Sequence, residues 1–248
     1  MLTTQEQLKY SRQIMMNKIG EQGQIALRNA KVLIVGVGGL GNPVSLYLAA
    51  AGVGTLYIAD GDTIELSNLS RQIQFHEKDI GQNKADIAAE KLNKQFPDSD
   101  IEAIDDMLDQ ELCDYYLPQV DLVLDCSDNI ETRYLINQAC VIHKVPLVIG
   151  AATAFDGQQL VVDPREGTSA CYHCLFPSSE KAPANNCQTI GVLGPVLAIV
   201  AGMQSLQAIK LLTNNSVQIN QLNLFDGLSN QWQQFNMKKQ KNCTVCGS

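Results

Sequence analysis

The feature that most constrains this chain is the run Gly36-Val37-Gly38-Gly39-Leu40-Gly41, set between an apolar β-type segment at residues 30–35 and a small-residue segment at 43–52. A strand that ends in glycines and resumes as a helix leaves unpaired backbone N–H groups pointing out of the turn. Only glycine lets both the tight turn and a bound phosphate approach that closely. Pro43 suits the first turn of the helix that follows. The run therefore predicts a strand, turn and helix that hold a nucleotide phosphate through Gly36, Gly38, Gly39 and Gly41. Asp60 lies about 20 residues further on, after a second strand at 55–59, where it can accept ribose hydroxyls.

The remaining pattern extends the same logic. A helix over 82–96 is stopped by Pro97, strand candidates fall at 101–104, 121–126 and 147–150, and helices fall at 109–117 and 131–144. This alternation predicts an α/β, Rossmann-like, doubly wound and mainly parallel sheet. Ahead of it, residues 4–20 read as one short helix opened by a Thr4-x-x-Gln7 capping pattern. Beyond Ala151 the rhythm changes: 158–162 and 231–237 alternate like strands of an antiparallel extension, with an apolar helix at 196–212 between them. The apolar run at 190–203 is shorter than the roughly 18 residues a membrane helix needs, so it reads as a buried helix and no membrane is expected. No repeat or linker divides the chain, which predicts a single domain over 1–248, with a nucleotide-binding part at about 1–150.

Charge and cysteine usage narrow the setting. Lys and Arg number 18 against 26 Asp and Glu, a net charge of −8, which argues against a nucleic-acid surface. Residues 1–20 lack the apolar core of a secretory leader, so cytoplasmic residence and reduced thiols are expected. Four of the eight cysteines form two C-x-x-C pairs, Cys171 with Cys174 and Cys243 with Cys246. Four thiolates suit a closed tetrahedral Zn²⁺ site of structural type, with a redox C-x-x-C as the competing reading. His173 inside the first pair could replace one thiolate, but with the shell complete it is expected to be exposed. Cys113, Cys126 and Cys140 read as small core residues, Trp232 as a packing residue, and His76 and His143 carry no assigned role.

Three groups of polar residues point to chemistry. Ser67-Asn68-Leu69-Ser70-Arg71-Gln72 places an amide and a guanidinium on a loop after Asp60 and Asp62, and Lys84 opens the next helix. Arg and Lys together suit a polyphosphate whose leaving group needs neutralising, whereas hydride transfer makes no such demand. Asp125-Cys126-Ser127-Asp128-Asn129 ends an apolar strand at the edge where open α/β sheets bind ligands, and Asp128 could hold Mg²⁺. For each charged residue alone, a solvated loop or a helix cap is the plain alternative.

With Tyr10-Ser11-Arg12-Gln13-Ile14, GVGGLG, SNLSRQ, GQNK, DCSDN and the two C-x-x-C pairs, the chain resembles the ThiF/MoeB/HesA-type adenylyltransferases, bacterial relatives of the ubiquitin-activating enzymes, over nearly its whole length. The resemblance implies a homodimer that binds Mg²⁺ and ATP and adenylylates the C-terminal glycine carboxylate of a small ubiquitin-like sulfur carrier with a Gly-Gly tail. It implies that Gly39 approaches the phosphates, Asp60 binds the ribose, and Asn68, Arg71 and Lys84 bind the triphosphate, with Ser67 and Asn129 in the same nucleotide site. Asp128 would bind the metal, and Arg12 would reach from the neighbouring subunit to the γ-phosphate. Residues 151–248 would then hold the zinc, a crossover loop and the carrier-binding part.

Asn186-Cys187-Gln188-Thr189-Ile190-Gly191-Val192 matches an NCxTxGV stretch that, in the thiamin branch of the family, is implicated in covalent sulfur transfer. An ordinary loop thiol is the alternative for Cys187. This stretch, with Phe225-Asp226-Gly227 and Gln231-Trp232, favours a ThiS-like carrier in thiamin thiazole synthesis over a MoaD-like carrier in molybdopterin synthesis. The chain ends two residues after Cys246, so a separate sulfur donor protein is expected. An NAD-dependent oxidoreductase fits the glycines and Asp60 but not Arg71, Lys84 and Asp128. A non-catalytic carrier-binding scaffold is the third reading.

Overall fold

In the computed structural model, which describes residues 1–177 and 190–247, one eight-stranded sheet runs through both halves of the chain in the order β3-β2-β1-β4-β5-β6-β7-β8. Its parallel part is β1 (Lys31–Val35), β2 (Thr55–Ala59), β3 (Asp100–Ile104), β4 (Leu122–Asp125) and β5 (Leu147–Thr153). β6 (Asp156–Val162), β7 (Gln221–Asp226) and β8 (Gln231–Asn236) add to β5 in antiparallel fashion. The near-continuous apolar runs of β1, β2 and β4 are those of strands covered on both faces. α4 (Gly41–Ala51), α5 (Lys84–Gln95) and α9 (Gly194–Leu212) cover one face, and α6 (Gln110–Tyr116) and α7 (Ile130–His143) cover the other. The order reverses between β1 and β4, and at that point open α/β sheets carry their ligands.

The capping chemistry of the parallel half is local. Asn83, Asp109 and Asn129 each accept a backbone N–H from the first turn of α5, α6 and α7. α4 ends at Gly52, whose φ of 84° is left-handed. At the N-terminus the capping box is one residue earlier than expected, Thr3 with Glu6. Residues 4–20 are not one helix but α1 (Thr4–Lys9) and α2 (Ser11–Ile14), followed by α3 (Gly20–Asn29), which the sequence pattern did not reveal. The break falls at Tyr10, whose buried ring lies against Gly52 and turns the chain.

β7 also escaped the pattern, because its alternation is hidden by amides. Asn223 donates to Gln159 Oε1 at 3.1 Å and accepts from Gln234 at 3.0 Å, so a polar row crosses three strands in register. α9 starts at Gly194, two residues before the expected start at 196, while Ile190 and Leu193, in the apolar run expected to be buried, are exposed. With 19 residues it is long and apolar enough to cross a membrane by length and composition alone. Its packing, not its length, makes it a core helix: Val196, Leu197, Val200, Ala201 and Ala208 are buried against the sheet and α4. Trp232 packs on Phe225, with ring centroids 4.9 Å apart, as a packing residue of β8, and it is 42% exposed.

Candidate active site and metal centre

The glycine turn closes where expected, between β1 and α4. Gly36 has φ of 88°, and a β-carbon there would fall 2.9 Å from the Cys126 carbonyl oxygen at the end of β4. One at Gly41 would collide with the Gly36 carbonyl oxygen. Gly38, in contrast, has only Gln72 Nε2 near the space a side chain would fill, at 3.6 Å, so this part of the turn is open. Asp60, just past β2, accepts the Val37 N–H at 2.7 Å and the Asp62 N–H at 2.9 Å. Each carboxylate oxygen keeps a lone pair for a ribose hydroxyl. Burial pushes the Asp60 carboxyl above its usual range, opposed by the charge of Lys84 and the two N–H groups.

The residues beyond Asp60 come to the same edge. Lys84 is buried at the start of α5, with Nζ 2.8 Å from the exposed Asp62 carboxylate. Asn68 is buried and accepts the Glu65 N–H at 3.1 Å. Arg71 donates to the Ser67 carbonyl at 3.1 Å, and the start of α9 abuts Ser70 and Arg71 through Gly194. Asp128 is exposed beyond β4 and makes no hydrogen bond or ion pair among the described residues. A free carboxylate of this kind fits Mg²⁺, which takes one or two carboxylates together with substrate phosphates. Asn129 lies beside it, but its carboxamide oxygen accepts the Thr132 N–H at 2.8 Å as the cap of α7.

Arg12 stands apart. It is exposed on α2, whose Gln13 donates to the Ala51 carbonyl at the C-terminal end of α4. α4 has 11 residues, so Arg12 lies about 15 Å from the glycine turn of its own chain. Cys187 lies outside the described residues.

Polar residues that sequence reasoning missed hold the Asp128 turn in place. Asp125 is fully buried and accepts Arg133 Nε at 2.8 Å and the Ser127 hydroxyl at 2.6 Å. Arg133 also donates to the carbonyls of Ser127 and Gly150, at 2.9 and 3.1 Å. Burial alone would lower the Arg133 pKa, but Asp125 keeps the guanidinium charged. Gln204 of α9 closes the group by donating to the Asp125 carbonyl at 2.9 Å. A basic residue eight positions after a strand-end aspartate was the available signal.

The four paired cysteines converge on the opposite side of the sheet. Cys171 is the N-cap of α8 (Tyr172–Leu175) and Cys174 lies within it, and their sulfurs lie 3.7 Å from Cys243 and 3.3 Å from Cys246 respectively. The Cys171 and Cys174 sulfurs are 4.0 Å apart, and all four lie within 4.8 Å of one another. Tetrahedral thiolate coordination at about 2.3 Å spaces sulfurs at about 3.8 Å, so the cluster fits one such ion. The Gln240 N–H points at Cys174 Sγ from 3.4 Å, the kind of outer contact that orients a thiolate ligand. His173 is half-buried rather than exposed, near the Tyr134 ring and the Thr244 hydroxyl, and is not in the cluster. Cys113, Cys126 and Cys140 are buried, and burial pushes the Cys113 thiol up to about 12 and the other two upward as well, as befits core residues.

Residues 10–245 match the model of the ThiF family. The chain is 43% identical over 240 residues to the sulfur carrier protein ThiS adenylyltransferase of Escherichia coli strain K12, covering 97% of this chain and 95% of that one. It is 40% identical to the adenylyltransferase and sulfurtransferase MOCS3 of Culex quinquefasciatus, covering 99% of this chain but only 56% of that protein. Among solved structures, that of E. coli MccB with ATP superposes with a TM-score of 0.81 at 26% identity, covering 96% of this chain and 73% of that one.

Proposed function

Since the chain belongs to the ThiF family and is an adenylyltransferase, we propose that it adenylylates the C-terminal glycine carboxylate of a ThiS-like sulfur carrier, releasing pyrophosphate, for thiamin thiazole synthesis. The observation that carries this reading is the open glycine turn at the head of α4, with Gln72 of the Arg71 segment beside Gly38, Lys84 paired to Asp62 close to Asp60, and an exposed Asp128 that makes no hydrogen bond or ion pair among the described residues. The carrier carboxylate is already a nucleophile, so no strong base is required. The chain's task is to align that carboxylate with the α-phosphorus and to offset the charge of the departing pyrophosphate. The turn N–H groups hold phosphate oxygens, Asp60 holds the ribose, and Asn68, Arg71 and Lys84 hold the triphosphate. Asp128 would hold Mg²⁺, which supplies charge neutralisation on the phosphates when bound. Zn²⁺ held by Cys171, Cys174, Cys243 and Cys246 would be structural, since four thiolates leave no open position.

Arg12 acts in trans in this reading, because its own turn is a helix length away. A homodimer is further supported by exposed apolar residues on α4 and α9, where Tyr47 and Leu206 line one groove with Ala50, Ile209 and Gln13 of the N-terminal region. The partner carrier has a Gly-Gly tail, the sulfur donor is a separate protein, and the setting is the cytoplasm. A ThiS-like carrier is preferred because the chain is 43% identical to the ThiS adenylyltransferase over nearly all of both chains, and because of the NCxTxGV stretch at 186–192.

The test is ATP–pyrophosphate exchange by the purified protein with Mg²⁺, without carrier and then with a ThiS-like or a MoaD-like carrier. Exchange dependent on the ThiS-like carrier is expected, and it should vanish in Asp128→Ala while that variant stays folded. Exchange only with the MoaD-like carrier would move the assignment to molybdopterin synthesis, and exchange with neither would sink the carrier assignment.

A further inference from the structure

The glycine turn and the segment bearing Arg71 are far apart in sequence, yet one buried side chain joins them. Asn42, the second residue of α4, is fully buried. Its Nδ2 donates to the Val37 carbonyl at 2.7 Å, and its Oδ1 accepts the Gln74 N–H at 2.8 Å. The Gln74 carboxamide answers by donating to the Asn42 carbonyl and to the Ser45 hydroxyl. Lys91 of α5 then donates to the Gln74 carbonyl at 2.7 Å and pairs with Asp79, which fastens the far end of the same segment.

Val37 is thus gripped on both sides, its N–H by Asp60 and its carbonyl by Asn42. The next residue, Gly38, borders the open part of the turn. Gln74 lies three residues after Arg71 and two after Gln72, whose amide stands over Gly38. One amide therefore sets the aim of the turn donors and the reach of the Arg71 segment together. Fixing two donor sets in one frame before the ligand arrives removes the ordering cost from binding.

We propose that Asn42, clasped to Gln74, is a positioning residue that makes the glycine turn and the Arg71 segment a single preformed cradle for the phosphates of ATP. The inference rests on the nucleotide reading above and adds how the phosphate part of that site is held. Asp60 shares Val37 with the clasp but has holds of its own, the Asp62 N–H on its carboxylate and the Asn83 amide on its carbonyl, so the clasp bears chiefly on the phosphates.

The experiment measures ATP and adenosine affinity by titration calorimetry on the full chain, for wild type, Asn42→Ala, Gln74→Leu and the double variant, with thermal unfolding alongside. ATP affinity is expected to fall about tenfold in Asn42→Ala while adenosine affinity changes less than about twofold. Because the two residues act as one clasp, the double variant should bind ATP no more weakly than Asn42→Ala. Gln74→Leu loses the two Nε2 hydrogen bonds along with a buried Oε1 that has no hydrogen bond among the described residues, and keeps the backbone N–H bond to Asn42, so its unfolding temperature should change little while ATP affinity falls. That split separates positioning from mere stability, and it decides the matter should Asn42→Ala fail to fold. Unchanged ATP affinity in Gln74→Leu and Asn42→Ala, or an equal loss for ATP and adenosine, overturns the proposal while leaving the nucleotide site standing. Wild-type protein that binds neither ligand overturns the nucleotide reading and this proposal with it.

Discussion

At the scale of single residues, the charged groups divide into those the fold needs and those the ligand needs. Asp125 and Arg133 are both buried and bonded to each other, with Ser127 and Gly150 taking up the remaining valences. Arg133→Met removes one partner and leaves a carboxylate buried without its cation, so a destabilisation of about 3–5 kcal/mol is expected, read as a fall in the urea midpoint. Asp79 behaves differently, because its stabilisation depends on pH. Its burial would raise the carboxyl, but the Lys91 ammonium and the His76 N–H outweigh burial and hold it below the usual carboxylate range. A depressed carboxyl stabilises the fold above its unfolded value near 4 and loses that contribution as pH falls through its folded value. Asp79→Asn should therefore be less stable than wild type at pH 7 and show a shallower loss of stability below about pH 4, as followed by urea unfolding across that range. The sequence marked Asp60, Asp128 and Lys84, which follow a strand end or open a helix, and Arg71, which stands with Asn68 on the loop after Asp60. It left Arg133, Asn42 and Gln74 unmarked, because a buried polar residue is recognised by the partner it meets and not by its neighbours in the chain.

At the scale of elements, the strand, glycine turn and helix form the most exacting local structure. Of its four glycines, Gly36 and Gly41 serve the backbone, Gly39 packs against Leu197 of α9, and Gly38 is the one that faces the ligand in the proposed reading. Gly41→Ala drives a methyl into the Gly36 carbonyl, whereas Gly38→Ala puts one into open space beside the Gln72 amide. Gly41→Ala is expected to lower the unfolding temperature and abolish ATP binding. Gly38→Ala should unfold at nearly the wild-type temperature yet gain little protection from ATP, which a thermal shift with and without nucleotide measures. Elements with this much local punctuation were legible: β2 fell on its expected residues, and α5, α6 and α7 agree within two residues at either end. α3 and β7 were not, for opposite reasons. α3 has glycines and polar residues where a helix pattern expects apolar ones, and β7 satisfies its inward amides sideways, through Gln159 and Gln234.

At the scale of the whole molecule, the cysteine cluster ties the C-terminal segment to the helical layer. Tyr172 lies between two of the cysteines. Its N–H donates to Asn137 of α7 at 2.8 Å, and its ring lies 5.7 Å from the Arg133 guanidinium. Removing the ion with a strong chelator should release one zinc per chain, measured by atomic spectroscopy, and lower the unfolding temperature, with recovery when zinc is restored. The amino-acid sequence by itself determined the features whose causes act within a few residues: the glycine turn, the helix caps, the apolar strands and the two C-x-x-C pairs. Those signals are steric or are hydrogen bonds to near neighbours, and they need no tertiary context. Only the tertiary structure decided that the two cysteine pairs meet, that Arg12 is remote from its own chain's turn, and that Asn42 reaches Gln74 and Arg133 reaches Asp125. A buried donor must find its acceptor wherever the packed layers bring one, and that condition is set by the fold as a whole.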